Sequence, residues 1–304
     1  MEYIFKTENL CKYYGKYKAL DGLNMSIPKG SIYGFVGKNG AGKTTLMRLM
    51  CGFQTPTKGG YTLFGKKNTD SELSNLRKKI GAVVETPAIY KGLNAYDNLM
   101  LQCINVGMPD YNEIPELLKI VGLEDAGKKK AKAFSLGMRQ RLGIAIALCS
   151  HPDFLILDEP TNGLDPQGII EMRELILRLN KEQGITVLIS SHILDELARL
   201  ATHYGFIDNG KIIREMSAAD LENECKKRIY MKVEDTKILS SIMDKKGIEY
   251  KIKDENNAEV FASFNFSDIA KDFELEGCKI ITMEEHDESL EAFFISLIGG
   301  NSDV

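Results

Sequence analysis

Gly37-Lys38-Asn39-Gly40-Ala41-Gly42-Lys43-Thr44 has the residue types and order G-x-x-x-x-G-K-[ST] of a phosphate cradle. Its glycines let backbone N–H groups point at phosphate oxygens, and a helix starting there adds the partial positive charge of its N-terminus. Lys43 is expected to neutralise β- and γ-phosphate oxygens, Thr44 to offer its hydroxyl to Mg²⁺, and Thr45 to hold another phosphate oxygen. A second constellation closes the run Phe154-Leu155-Ile156-Leu157-Asp158-Glu159, an apolar strand that delivers two carboxylates at its end. Asp158 would position Mg²⁺ through its water shell, and Glu159, one residue beyond, would polarise a water for in-line attack at the γ-phosphate. The two motifs together predict Mg²⁺-dependent hydrolysis of a nucleoside triphosphate.

Such chemistry needs strands to present the loops. Ser31–Val36 reads as a short apolar strand feeding the glycine loop, and Thr44–Met50 as a helix stopped by Gly52. Tyr3–Asn9, Phe154–Leu157 and Thr186–Ser190 read as further strands. Arg139–Cys149, Gln167–Asn180 and Leu194–Leu200 read as helices, and Asn209-Gly210 as the turn of a hairpin. Strands alternating with helices predict an α/β sheet, with an inserted helical lobe at about residues 87–150. Beyond about residue 220 the pattern changes to strand-like Ile229–Val233, Glu249–Lys253, Glu259–Ala262 and Lys279–Met283. A closing helix is expected on Leu290, Phe293, Phe294 and Leu297, with Gly299-Gly300 as its stop. Residues 1–220 are therefore read as the catalytic domain and 221–304 as a small C-terminal α/β domain serving dimerisation or regulation.

Composition narrows the class. The 304 residues are 43% hydrophobic and 27% charged, ordinary globular values, and the net charge of −4 gives no basic field for bulk nucleic-acid binding. The runs Arg77-Lys78-Lys79 and Lys128-Lys129-Lys130 read as solvated faces, so no nucleic-acid partner is expected. Six scattered cysteines, without metal-ligand spacing, read as reduced thiols of a cytosolic protein. No stretch approaches the roughly 20 apolar residues of a membrane span, and no signal peptide is read, so any membrane work falls to a partner.

Phe134-Ser135-Leu136-Gly137-Met138-Arg139-Gln140-Arg141 resembles the ABC signature, whose usual form is Leu-Ser-Gly-Gly-Gln. With the other motifs in their order over roughly residues 1–220, the chain is identified as similar to ABC transporter ATPases, P-loop proteins with an inserted helical lobe. The resemblance implies ATP and Mg²⁺ as ligands. It puts Tyr14 at the adenine-stacking position, Glu85 at the Q-loop as a metal ligand, Asp165 in the D-loop, and His192 as sensor of the γ-phosphate. It further implies that Ser135 and Gly137 bind the γ-phosphate held by the Gly37–Thr45 loop of a second ATPase subunit, in a homodimer or a heterodimer. A separate integral-membrane permease is implied, with the ATPase cytoplasmic and peripheral on the inner face of the membrane. Glu85 where most members have Gln, and Leu136 and Met138 within the signature, resemble the bacitracin and lantibiotic export or immunity subgroup.

The competing reading is a soluble ABC ATPase acting on ribosomes or DNA. The ribosomal kind usually carries two cassettes in a chain, and only one is present. A DNA-repair ATPase would need a long coiled coil where residues 86–134 leave no room for one. A regulator without turnover would be expected to lack a carboxylate at Glu159.

Overall fold

The first strand outruns its apolar pattern. Expected over Tyr3–Asn9, β1 spans Tyr3–Tyr14, because Asn9 takes a φ of 46° and its N–H donates to Oδ1 of Asn24 at 2.8 Å. The strand bends there and continues. This is seen in a computed structural model that describes residues 2–107, 111–225, 228–261, 266–286, 293–295 and 297. After β1 come β2 (Tyr17–Leu23), β3 (Ser26–Pro28), β4 (Ile32–Val36), α1 (Lys43–Met50), β5 (Lys58–Leu63) and β6 (Lys66–Lys67). Strands β1, β2, β3, β5 and β6 form one antiparallel sheet, of order β2-β1-β5-β6 with β3 beside β1. Next are α2 (Leu73–Leu76) and β7 (Ile80–Val83). The lobe follows, with α3 (Ala95–Val106), α4 (Ile114–Ile120) and α5 (Leu136–Leu148). Then come β8 (Phe154–Asp158), α6 (Pro166–Gln183), β9 (Thr186–Ser191), α7 (Leu194–Ala198), β10 (His203–Asp208) and β11 (Lys211–Ser217).

The second sheet has the order β11-β10-β4-β9-β8-β7, parallel except for the edge strand β11. Its central strands β4, β8 and β9 are buried at every residue. Strands covered on both faces read as continuous apolar runs, which is why these three were legible. Helix α1 buries Leu46, Met47, Leu49 and Met50 in a core shared with Phe5, Leu10, Leu23 and Leu63 of the antiparallel sheet and with Phe35, Phe154 and Ile156 of the parallel one. Each such side chain contributes about 1.5–3 kcal/mol on burial, so the helix that opens at Lys43 is clamped between two sheets.

Two helices begin earlier than their apolar periodicity suggests, and both begin at caps. The expected start of α5 at Arg139 moves back to Leu136, because Ser135 Oγ accepts the N–H of Met138 at 3.2 Å. The expected start of α6 at Gln167 moves to Pro166, where Asp165 Oδ1 accepts the N–H of Gly168 at 3.1 Å. Helix α6 then buries Met172, Leu175, Ile176 and Leu179, one face at helical spacing.

The chain divides into two compact units, Met1–Ala218 and Ala219–Val304. After α8 (Ala218–Glu224), the second holds β12 (Arg228–Val233), α9 (Thr236–Lys246), β13 (Glu249–Ile252), β14 (Asn257–Phe261), α10 (Phe266–Leu275) and β15 (Ile280–His286). Its sheet order is β13-β14-β12-β15 with every neighbouring pair antiparallel. Strands β12 and β13 therefore run the same way with β14 between them, the split βαβ of ferredoxin-like domains. Leu239, Ile242 and Met243 of α9 and Ile269 and Phe273 of α10 pack with Ile229, Met231, Val233 and Val260 of the sheet. Of the expected closing helix, Leu290 and Gly299-Gly300 lie outside the described residues, as does Ala262, while Phe293, Phe294 and Leu297 are helical.

One close approach in the first unit tests this packing. Gly205 of β10 lies against the buried Tyr33 of β4, and a Cβ there would meet the ring at Cε1 and Cζ, both at 2.9 Å. Tyr33 in turn donates its hydroxyl to Oε1 of Glu215 at 2.5 Å. Gly205→Ala is expected to destabilise the protein by about 1–3 kcal/mol through overpacking, whereas Gly92→Ala, with nothing within 4 Å, leaves the fold unchanged. Thermal unfolding followed by circular dichroism checks this, and equal melting temperatures for the two variants would contradict it.

Candidate active site

The loop between β4 and α1 is shaped by close contact. At Gly42 φ is 113°, and a Cβ would come within 2.5 Å of the carbonyl oxygen of Ala19, so only glycine fits there. The N–H of Ala41 donates to the carbonyl of Lys38 at 3.1 Å and tightens the turn. The Lys43 ammonium folds back into the loop and donates to the carbonyls of Gly37 at 2.6 Å and Lys38 at 3.2 Å. Only 5% exposed, it also pairs with Oε1 of Glu159 at 3.3 Å. Such burial is tolerated because the charge has three partners.

Strands β8 and β9 deliver the acidic side. They are in register with Asp158 beside Ser190. Asp158 is 7% exposed, and its two oxygens accept from two hydroxyls, Thr44 at 2.8 Å and Ser190 at 2.6 Å. The Ser190 oxygen also accepts the N–H of Glu159 at 2.9 Å. Glu159 takes a φ of 47°, a left-handed conformation that breaks the strand direction at the carboxylate. Its Oε2 lies 2.9 Å from Nδ1 of His192. An ionised carboxylate only accepts, so the tautomer with the proton on Nδ1 makes this bond.

Thus Lys43, Thr44, Asp158, Glu159 and His192 come together at the carboxyl ends of β4, β8 and β9. A cavity of about 150 Å³ beside them is lined by Tyr17, Asn39, Gly40, Gly42, Lys43, Thr44, Thr45 and Glu159. The donor set suits its ligands. Backbone amides and an ammonium match phosphate oxygens, and a hydroxyl next to a carboxylate matches a hard divalent cation.

Other expected site residues stand apart from this cluster. Tyr14 is exposed, donates its hydroxyl to Oε1 of Gln54 at 2.5 Å, and has the Lys12 ammonium 5.3 Å from its ring centre. The neighbouring Tyr17, absent from the expected set, reaches the carbonyl of Gly40 at 3.1 Å. Glu85 does not join Thr44 and Asp158. Its φ is 64°, and among the described residues its partner is the Arg48 guanidinium of α1, at 2.5 Å. Ser135 and Asp165 cap their own helices. Gly137 lies near Leu164, and the side chain of Leu136 lies against Gly163, so the departure from the usual signature is filled by contact with the 163–164 loop. Ser190 was also missed. It is one of three buried polar residues of β9, with Thr186 and Ser191, and lies directly after the apolar run Val187–Ile189.

Fold and site together define a P-loop cassette that binds and hydrolyses ATP. The ABC transporter family profile matches residues 20–162. The Bacitracin transport ATP-binding protein BcrA of Bacillus licheniformis is 40% identical over 305 residues, spanning 99% of each chain. The Lantibiotic transport ATP-binding protein SrtF of Streptococcus pyogenes is 47% identical over 220 residues, 72% of this chain and 93% of that one. Among solved structures, the dimeric, post-hydrolysis ATP-binding cassette MJ0796 bound to ADP and Pi superposes with a TM-score of 0.64 at 27% identity, covering 70% of this chain and 98% of that one. The chain belongs to the ATP-binding subunits of ABC transporters. Subunits of this family dimerise and work with membrane permeases, and among the described residues no helix is long and apolar enough to cross a membrane. Its relatives being transporter subunits, the ribosomal and DNA readings fall away.

The Asp158 clasp makes a direct prediction. Ser190→Ala leaves a buried carboxylate oxygen and the Glu159 N–H without their partner and is expected to destabilise the protein by about 1–3 kcal/mol, with turnover falling as well. Thermal unfolding and ATPase assays read the two effects, and a wild-type melting temperature would contradict this role for Ser190.

Proposed function

We propose that this chain drives export of, or immunity to, a peptide antibiotic of the bacitracin or lantibiotic kind, hydrolysing ATP as one of two ATPase subunits beneath a separate permease. The observation that carries the proposal is the alignment with the bacitracin transport protein, which runs over both units and not the cassette alone. The second unit, outside the 20–162 match to the general family, is proposed to serve dimer contact or regulation. The contact of the chain with the membrane is proposed to run through the permease, on the cytoplasmic face.

In this proposal Tyr14 offers its exposed ring to adenine, an aromatic contact of about 0.5–1.5 kcal/mol beyond area burial. Residues 37–45 hold the phosphates, with Lys43 balancing their charge. Thr44 and Asp158 would hold Mg²⁺, which when bound supplies electrostatic stabilisation of charge on the phosphates. Glu85, here paired with Arg48, is proposed to complete this metal set. Glu159 accepts a proton from the attacking water as its oxygen bonds to the γ-phosphorus and the bond to the ADP oxygen breaks. His192, with Nδ1 on Glu159, orients that carboxylate and keeps Nε2 for the γ-phosphate. Ser135 and Gly137, at the start of α5, face the nucleotide of the second subunit.

Glu159→Gln keeps the shape of the side chain but cannot act as a base, so turnover is expected to fall about 10²- to 10⁴-fold while ATP binding persists. In a susceptible host, the wild-type chain expressed with its permease should raise the inhibitory concentration of bacitracin or a lantibiotic, and Glu159→Gln should abolish that protection. Wild-type turnover in the variant would refute the role of Glu159. Active ATPase without protection against either peptide would refute the substrate.

A further inference from the structure

Glu196 joins the turn that carries Glu159 to the turn that carries His192. It sits in the first turn of α7, and its Oε2 accepts from the hydroxyl of Thr161 at 2.6 Å and lies 3.3 Å from that of Ser191. Thr161 and Ser191 are both buried. Thr161 follows Glu159 by two residues, and Ser191 directly precedes His192. The Ser191 oxygen also accepts the N–H of Ile193 at 2.9 Å, closing a turn around His192. Its single proton is divided between Glu196 and the Ile193 carbonyl at 3.0 Å, so the Thr161 bond, short and charge-assisted, is the firmer of the two.

The ladder between β8 and β9 ends at the pair Asp158 and Ser190. Past that point no further β8–β9 pair forms among the described residues. The Glu159 side continues through tight turns, with the Asn162 N–H on the carbonyl of Glu159 and the Leu164 N–H on that of Thr161, both at 3.1 Å. Beyond the strand ends, the turns are joined by the Glu159–His192 contact itself and by Glu196. The carboxylate of Glu196 thus spans the gap that the backbone ladder no longer closes.

We infer that Glu196 is a positioning residue for ATP hydrolysis, a clasp that fixes the Glu159 turn against the His192 turn so that Nδ1 of His192 stays on the Glu159 carboxylate. The inference rests on the roles proposed above for Glu159 and His192. A misplacement of about 1 Å between reacting groups can lower turnover roughly 100-fold. Among the described residues Glu196 bonds Thr161 and Ser191 and not the phosphate loop, so ATP affinity does not depend on the clasp. A plain helix-end role, an acid in the first turn of α7 favouring the helix dipole, would act on stability alone and independently of Thr161.

The experiment measures kcat and ATP affinity for Glu196→Ala, Glu196→Gln, Thr161→Val and the Thr161→Val/Glu196→Ala double variant, in the full chain assembled with its permease. Glu159→Gln and His192→Ala run alongside. Glu196→Ala is expected to lose about 10- to 100-fold in kcat with ATP affinity unchanged. Glu196→Gln, which keeps an acceptor oxygen at the same reach, recovers most of the turnover. Thr161→Val loses turnover in the same direction, and the double variant loses no more than Glu196→Ala, as expected for partners in one bond. Should Glu196→Ala fail to fold, Thr161→Val and Glu196→Gln carry the test. Wild-type kcat in Glu196→Ala or Thr161→Val, or losses that add in the double variant, would overturn the clasp if Glu159→Gln and His192→Ala are impaired. If those two variants keep wild-type turnover, the assignment of the site has failed and the clasp falls with it.

Discussion

A carboxylate can stay buried only when its oxygens are partnered, and Asp158 meets that demand with the hydroxyls of Thr44 and Ser190. Much of the first unit follows from this requirement. Thr44 belongs to the first turn of α1 and Ser190 to the end of β9, so satisfying Asp158 fixes the phosphate loop, β8 and β9 relative to one another. The burial of α1 between two sheets holds the helix from behind, and the clasp holds it from the front. A well-packed apolar residue in place of Asp158 would be no worse for stability, so the charge is explained by what it does for a ligand.

That arrangement leaves an ammonium and two carboxylates within one small volume. Lys43 lies on Glu159 and on the loop carbonyls, which keeps the positive charge on the loop where phosphates bind. Glu159 stands at the junction, touched by Lys43 and His192. The left-handed conformation at Glu159 turns the chain away from β8, and this exposes the carboxylate to the cavity while Asp158 stays beneath.

The phosphate loop and the strands β4, β8 and β9 were legible because spacing and continuous apolar runs are local properties of the chain. Helix starts were misread where a cap outranked periodicity. Gly137 and Pro166 look like breaks, yet Ser135 and Asp165 cap the helices there. Long-range pairings left no such trace. The Arg48–Glu85 contact joins residues 37 apart in sequence, and the Tyr17–Gly40 contact depends on how the first hairpin folds over the loop. Polarity alone does not separate Ser190 from Thr186 and Ser191 of the same strand; its place beside Asp158 in the β8–β9 register does. The four strands of the second unit could be anticipated from their patterns, but their order, with β14 between β12 and β13, could not, since alternation says nothing of which strand lies beside which.

The central claim is that residues 37–45, with Lys43 at their centre, hold the phosphates of ATP in a site already shaped by the fold. Isothermal titration calorimetry of ATP with Mg²⁺ on the wild-type chain and on Lys43→Met tests it most directly. Loss of a charged hydrogen-bonding group is expected to weaken binding about 10- to 100-fold with the melting temperature of a folded protein retained. An affinity equal to that of the wild type, in a folded Lys43→Met chain, would contradict the account.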